Sequence, residues 1–248
     1  MRFCSLGSGS SGNATVVETT GCATTRRVLI DCGFSLKEFD FRAARAGLGP
    51  AALDAIFVTH EHGDHIGCAV GLARRHGIPL WMSRGTWLAI GEPELAGLLH
   101  FARDGETIAV GAMELLPYTV PHDAHEPLQL RCTSGGARLG VLTDAGCITP
   151  HLLANLKDCN ALLLECNHDR GLLAASGYPA SLKARVGGRF GHLSNDTAAD
   201  ILAACMHSGL RHLVAAHLSV QNNRPELVLQ ALAEAWGGDR GQIVVADA

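Results

Sequence analysis

The sequence predicts a layered α/β fold, two sheets back to back with helices on both outer faces. Three observations predict it. Apolar runs of strand length recur along the chain, and a strand-dense first half with hairpin-like connections gives way to a second half where helical patterns are frequent. No linker, repeat or low-complexity stretch divides the 248 residues. A chain of this length can bury a sizeable core, and strands and helices mixed in this way are satisfied by packing in layers. Residues 1–248 therefore read as a single domain. Periodicity alone leaves other α/β layouts open.

In chain order, the apolar runs at 15–18, 27–30 and 55–58 read as strands. A helical pattern over 65–76 follows, with Ile66, Ala69, Val70 and Ala73 on one face. Strands are expected at 79–82, 113–120, 128–132, 138–142 and 161–164. A helix over 195–207 opens on Asn195-Asp196-Thr197, which can cap the free N–H groups of a first turn, and is Ala/Leu-rich after it. A strand at 213–216 leads to a helix over 225–236, with Pro225 in its first turn and Gly237-Gly238 closing it. The last strand is expected at 242–245.

Hydrophobic residues make up 47% and charged residues 18%, a globular rather than a disordered balance. A formal net charge of −4 excludes an overall basic coat, so contact with phosphates has to come from a local patch. The nine cysteines are odd in number, form no C-x-x-C pair and sit singly in apolar stretches. They read as reduced thiols of a cytoplasmic protein. The opening MRFCSLGSGSSGN lacks the apolar stretch of a signal peptide, and no apolar run is long enough to span a bilayer. The expectation is a soluble protein with no membrane partner.

The chemistry concentrates where strand 55–58 ends. His60, His62, Asp64 and His65 fall within six residues, with Gly63 letting the backbone turn tightly among them. Imidazole nitrogens and carboxylate oxygens are the donors a divalent ion such as zinc prefers. One ion cannot easily use all four at this spacing, whereas two ions a few ångströms apart can. More ligands should then lie at other strand ends, and His122, Asp144 and His217 qualify. A carboxylate at Asp144 can bridge two ions, one through each oxygen.

The segment THEHGDHIG resembles the H-x-H-x-D-H signature of the metallo-β-lactamase superfamily. The order Asp31, His60/His62/Asp64/His65, His122, Asp144, His217 resembles the five motifs of that superfamily and spans nearly the whole chain. Within it the chain is most similar to the YycJ/WalJ (VicX) group, through SLGSGSSGN (5–13), PHDAHEP (121–127), LTDAG (142–146), LLLECNHD (162–169), YPASLKARVGGRFGHLSN (178–195) and HLSVQNN (217–223). Gln129-Leu130 departs from the Gly-Tyr expected after PHDA, which bears on the pocket wall near His122 but leaves that ligand in place.

The resemblance implies the four-layer αββα sandwich of the metallo-β-lactamase fold and a ligand set for two divalent ions, zinc or manganese. One ion would be held by His60, His62 and His122, the other by Asp64, His65 and His217, with Asp144 bridging. Asp31 would orient a ligand histidine or the loop carrying it. Two ions flanking one water lower its pKa, which makes a metal-bridging hydroxide the natural nucleophile of a hydrolase. LECNHD and GHLSN are similar to the H-E-A-T and G-H-S-T segments of the tRNA 3′-processing endonuclease of the superfamily. Carried across, Glu165 would orient His192, which would protonate the departing oxygen or hold a phosphate, so Asp64, Glu165 and His192 are the catalytic candidates.

Lys183, Arg185 and Arg189 gather just before GHLSN and are candidate phosphate contacts. The loop from Gly7 to Asn13 can offer N–H groups and hydroxyls to a phosphate or serve as a plain turn, and His168 admits a surface or a site role. The expected function is that of a metal-dependent phosphodiesterase, a DNA nuclease of 5′ exonuclease type. A small cyclic or linear phosphodiester is the alternative substrate, then a thioester or lactone. A metal-binding regulatory protein without turnover would be expected to have lost ligands, and all seven are present.

Overall fold

The computed structural model describes residues 1–21, 24–49, 52–237 and 243–246. Strands β1 (Arg2–Gly7), β2 (Ala14–Thr20) and β3 (Thr25–Ile30) form an antiparallel meander. Helix α1 (Leu36–Arg45) leads to β4 (Ala55–Phe57), which lies parallel to β3. Then come α2 (Gly63–Ile66), α3 (Ala69–His76), β5 (Leu80–Met82), α4 (Arg84–Ala89) and β6 (Leu99–Phe101), completing a six-stranded sheet in the order β1 to β6.

The second sheet starts with the antiparallel strands β7 (Ile108–Val110), β8 (Met113–Thr119), β9 (Leu128–Ser134) and β10 (Ala137–Leu142). After α5 (Pro150–Leu156), β11 (Ala161–Glu165) joins β10 in parallel. Helices α6 (Arg170–Ala175), α7 (Ala180–Val186) and α8 (Asn195–Cys205), strand β12 (His212–Ala216), helix α9 (Pro225–Trp236) and strand β13 (Ile243–Val245) complete it. The seven strands run in the order β13-β12-β11-β10-β9-β8-β7.

Alternation along the strands sorts the apolar side chains into three layers. Val28, Ile30, Ala55 and Phe57 of the first sheet meet Leu139, Val141, Ala161 and Leu163 of the second. Their neighbours Leu29, Ile56 and Val58 point the other way, onto Phe39 and Ala43 of α1 and Leu72 of α3. Leu162 and Leu164 likewise turn outward, onto α5, α8 and α9. The expected αββα sandwich is the architecture found.

The expected helix over 65–76 is two helices. Gly67, at φ 30°, separates them, because a Cβ there would come within 2.4 Å of the Cys32 carbonyl oxygen. Cys68 N–H donates to that same oxygen at 3.1 Å, and Cys32 N–H donates to His65 O at 2.8 Å. Pinning the turn after β3 to this segment interrupts the helix. The elements absent from the sequence reading, β1, α1, α4, β6, β7, α5, α6 and α7, have mixed patterns or span only a few residues. Gly237 closes α9 at φ 63°, whereas Gly238 and Gln242, also named in the sequence reading, lie outside the described residues.

Candidate metal centre

The candidate residues converge because most lie at or just after the C-terminal ends of strands. Asp31 follows β3, His60 follows β4 by three residues, Asp144 follows β10, Glu165 ends β11 and His217 follows β12, while His122 sits beyond β8. His62, Asp64 and His65 come from the loop and short helix α2 after His60. Asp31 and His217 both adopt left-handed backbone, at φ 60° and 56°. Such conformations in non-glycine residues are disfavoured and concentrate at functional sites.

Side chains of His60, His62 and His122 offer donor atoms within 4.8 Å of one another, and so do those of Asp64, His65 and His217. Asp144 lies between the two groups: its Oδ2 is 2.7 Å from His65 Nε2, and its Oδ1 is 4.0 Å from His122 Nε2. All seven ligands expected from the sequence are thus brought together.

Three of the imidazoles are oriented by what holds their Nδ1. His65 Nδ1–H donates to Asp31 Oδ2 at 2.8 Å. His122 Nδ1–H donates to the Gly191 carbonyl at 3.0 Å, and His60 Nδ1 lies 3.0 Å from Thr59 Oγ1. Thr59 is itself fixed on Asp31, through its N–H at 2.8 Å and its hydroxyl at 2.9 Å. In these three rings Nε2 is therefore the atom left for ligation, the arrangement by which a carboxylate or carbonyl sets the tautomer of a metal-binding histidine.

The donor set fits a divalent cation. Buried Asp31, Asp144 and Glu165 and part-buried Asp64 have only histidines within ion-pair reach among the described residues. Buried carboxylates need compensating positive charge. His60 Nε2 and Asp144 Oδ2 are buried with no hydrogen-bond partner. Although Asp144 Oδ2 and His65 Nε2 are close, they are not aligned as donor and acceptor, which suits two ligands sharing a cation rather than a hydrogen bond. Burial, helped by the neighbouring His65, drives the His60 pKa well below the ordinary value, so this ring is neutral with a free lone pair. Burial opposes ionisation of Asp144, but His217 and His65 outweigh it and hold its pKa well below the carboxylate range.

Glu165 Oε1 lies 2.8 Å from His192 Nδ1 and 3.2 Å from His217 Nδ1, while its Oε2 accepts from the N–H groups of Ala145 (2.9 Å) and Leu193 (3.3 Å). Asp144 Oδ1 lies 2.9 Å from the same His192 nitrogen. Burial acts to lower the His192 pKa, but Glu165 and Asp144 reverse this and push it up to about 10.

Beside His192 opens a cleft of about 770 Å³ lined by Lys183 and Arg189 among others. Arg185, the third cation of the sequence cluster, instead pairs with Asp123. His125 is paired with Glu61 at 2.6 Å, apart from the cluster. Gln129, at the departure from the expected Gly-Tyr, is buried and accepts from Thr143 N–H at 3.2 Å, bracing the residue before Asp144.

Three supporting residues escaped the sequence reading. Ser8 Oγ accepts the His217 N–H at 2.6 Å, and Asn13 reaches the Asp64 carbonyl through its backbone N–H at 2.8 Å and its side chain at 3.2 Å. Thr59 links Asp31 to His60. The Gly7–Asn13 loop is thus packed against the ligand loop rather than open as a phosphate cradle. Gly33 permits this approach, since a Cβ there would lie 1.8 Å from the Asp64 carbonyl oxygen. The abundance of Gly and Ser in the loop was the visible signal, but its partner was not.

A model of the metallo-beta-lactamase superfamily matches residues 7–203. The exodeoxyribonuclease WalJ of Streptococcus pneumoniae serotype 2 is 32% identical over 231 residues, 91% of this chain and 84% of that protein. The exodeoxyribonuclease YycJ of Bacillus anthracis is 32% identical over 239 residues, 94% of this chain and 88% of its own. Among solved structures, the metallo-beta-lactamase fold protein YhfI from Bacillus subtilis superposes with a TM-score of 0.74 at 15% identity, covering 99% of this chain and 95% of that one.

Proposed function

The chain belongs to the metallo-beta-lactamase superfamily, and on that premise we propose that it is a dinuclear-metal-dependent phosphodiesterase that degrades DNA from 5′ ends. The observation that carries the reading is the pair of donor clusters with Asp144 between them and the Glu165–His192 pair at their edge. In this reading His60, His62 and His122 hold one ion, and Asp64, His65 and His217 the other, with Asp144 between them. Two zinc or manganese ions bound there supply Lewis acidity towards a phosphoryl group and towards water.

The chain's own residues then have separable duties. Asp31, Thr59 and Gly191 keep ligand imidazoles in one tautomer. Glu165 holds His192 through Nδ1, which leaves Nε2 to carry a proton for the departing oxygen. Lys183 and Arg189 offer positive charge to a strand in an otherwise acidic protein. Phe190, 56% exposed beside Arg189, is a platform on which a base can stack. The similarity to proteins named exodeoxyribonucleases supports DNA as the substrate. The cysteines among the described residues are free thiols, which supports a location in a reducing cytoplasm, and no helix among those residues is long and apolar enough to cross a membrane.

A small cyclic or linear phosphodiester is the second reading, favoured by the net charge of −4. The test is a comparison of duplex DNA, single strands, RNA and cyclic nucleotides with purified protein in manganese and then zinc. Shortening of DNA from its 5′ end is expected, with about two ions per chain by elemental analysis. Asp64→Ala is expected to be inert towards bis-p-nitrophenyl phosphate. Hydrolysis of the small substrates alone would overturn the nuclease reading, and full activity of Asp64→Ala would overturn the centre itself.

A further inference from the structure

Among the described residues, one pair of cysteines departs from the pattern of single thiols. Cys32 Sγ and Cys68 Sγ lie 3.3 Å apart in hydrogen-bonding contact, and no other two cysteine sulfurs of those residues make such a contact. The two belong to different segments. Cys32 lies in the turn after β3, next to Asp31, and Cys68 is the N-cap of α3, three residues beyond the ligand His65. Backbone hydrogen bonds already join these segments: Cys32 N–H donates to His65 O at 2.8 Å, and Cys68 N–H donates to Cys32 O at 3.1 Å. The approach of the thiols is therefore set by the framework rather than by their own contact.

Their geometry and surroundings suit bond formation. A disulfide places its sulfurs about 2.0 Å apart, so roughly 1.3 Å of movement closes it. The partners are also unequal. Cys32 is fully buried, while Cys68 is part-buried and is the member with access to solvent. Cys68 stands at the N-terminus of α3, and its side chain makes no capping hydrogen bond there. The positive end of a helix favours a thiolate, the reactive form of cysteine.

We infer that Cys32 and Cys68 are a site of reversible oxidation, closed to a disulfide by hydrogen peroxide. The Cys68 thiolate attacks one peroxide oxygen, the O–O bond breaks, and a sulfenic acid forms as hydroxide leaves and takes up a proton. Cys32 Sγ then attacks the Cys68 sulfur and breaks its S–O bond, and the thiol proton departs with the hydroxyl group as a second water. Two thiols lose two electrons and one peroxide gains them. A dithiol reductant reverses the bond by exchange through a mixed disulfide. In a reducing compartment the thiol form found here is the resting one.

The crosslink closes a stretch of chain that contains α1, β4 and the donors His60, His62, Asp64 and His65. It restricts the unfolded chain and clamps the turn carrying Asp31 to the segment after His65. The oxidised protein should melt about 5–10 °C above the reduced one.

The test exposes the full chain, reduced and then freed of reductant, to hydrogen peroxide. Remaining thiols are alkylated, and a non-reducing digest is mapped by mass spectrometry. A peptide pair joining Cys32 to Cys68 is expected, lost after dithiothreitol. In Cys32→Ala, Cys68 should stop at the sulfenic acid and be trapped by dimedone, whereas in Cys68→Ala the buried Cys32 should remain a thiol. Exposed Cys4 reports that the oxidant acted. Cys32 and Cys68 both alkylated in a parent whose Cys4 is oxidised overturn the site, and that map requires no variant to fold. A crosslink that leaves the melting temperature unchanged overturns the clamp.

Discussion

Glu165 Oε1 sits 2.8 Å from His192 Nδ1, a contact between a fully buried carboxylate and an imidazole at the edge of the metal-ligand cluster. Because Glu165 Oε2 is anchored by two backbone N–H groups, the carboxylate cannot swing away, and it fixes the plane of the His192 ring. Two further contacts of the same kind, Asp31 with His65 and Gly191 with His122, hold two more histidines of the cluster from behind.

If His192 delivers a proton to the departing oxygen, the need for it depends on the leaving group. His192→Ala should lower kcat on a DNA dinucleotide about 100-fold. The loss on bis-p-nitrophenyl phosphate should be far smaller, since nitrophenolate leaves without a proton. Glu165→Gln should follow the same split in milder form. Equal losses on both substrates would remove the general-acid role.

Asp31→Asn keeps a residue type that tolerates the left-handed backbone found here, so the fold should survive. It removes the charge facing His65 Nδ1. Affinity for the metal is expected to fall about 10- to 100-fold, read by competition with a chromophoric chelator, with the circular dichroism spectrum unchanged. Unaltered affinity would reduce Asp31 to a structural residue.

Phe190 is exposed and buries little of the core, so Phe190→Ala should leave the melting temperature in place. Loss of one stacked base corresponds to about 1–3 kcal/mol. Single-stranded DNA should therefore bind roughly tenfold more weakly by fluorescence anisotropy with a catalytically inactive background. Undiminished binding would exclude Phe190 from the strand's path.

Far from the centre, Glu18 accepts from Arg2 Nε and Arg27 Nε, each at 2.6 Å. The Arg2 hydrogen bond is the largest influence on its carboxyl, burial opposes it, Arg27 adds to it, and the net pKa is lowered. A folded-state pKa below the unfolded one stabilises fully above the unfolded value, about 4.3, and the contribution disappears as pH falls through the folded value. The melting-temperature gap between the parent and Glu18→Gln should thus narrow from about pH 6 to about pH 3. A gap that is constant with pH would contradict it.

The strands of the two-sheet core were legible because burial on both faces leaves continuous apolar runs, as at Ala161–Glu165. The ligand loop was legible because His60, His62, Asp64 and His65 are chemically distinctive and close in sequence. Helix α7 was not, since none of its residues is buried and it has no apolar stripe to read.

By itself the sequence pointed to a layered fold, the loop of four donors and, through motif order, three distant donors expected to join them. Tertiary structure alone decided the partnerships: His217 N–H on Ser8 across 209 positions, Asp144 between two donor groups, Arg185 drawn off by Asp123, and His168 turned into a cleft. The physical reason is range. Periodicity and spacing encode what a residue does within a turn or a strand, whereas the pairing of buried charges depends on which strand ends the stacking of the sheets brings together.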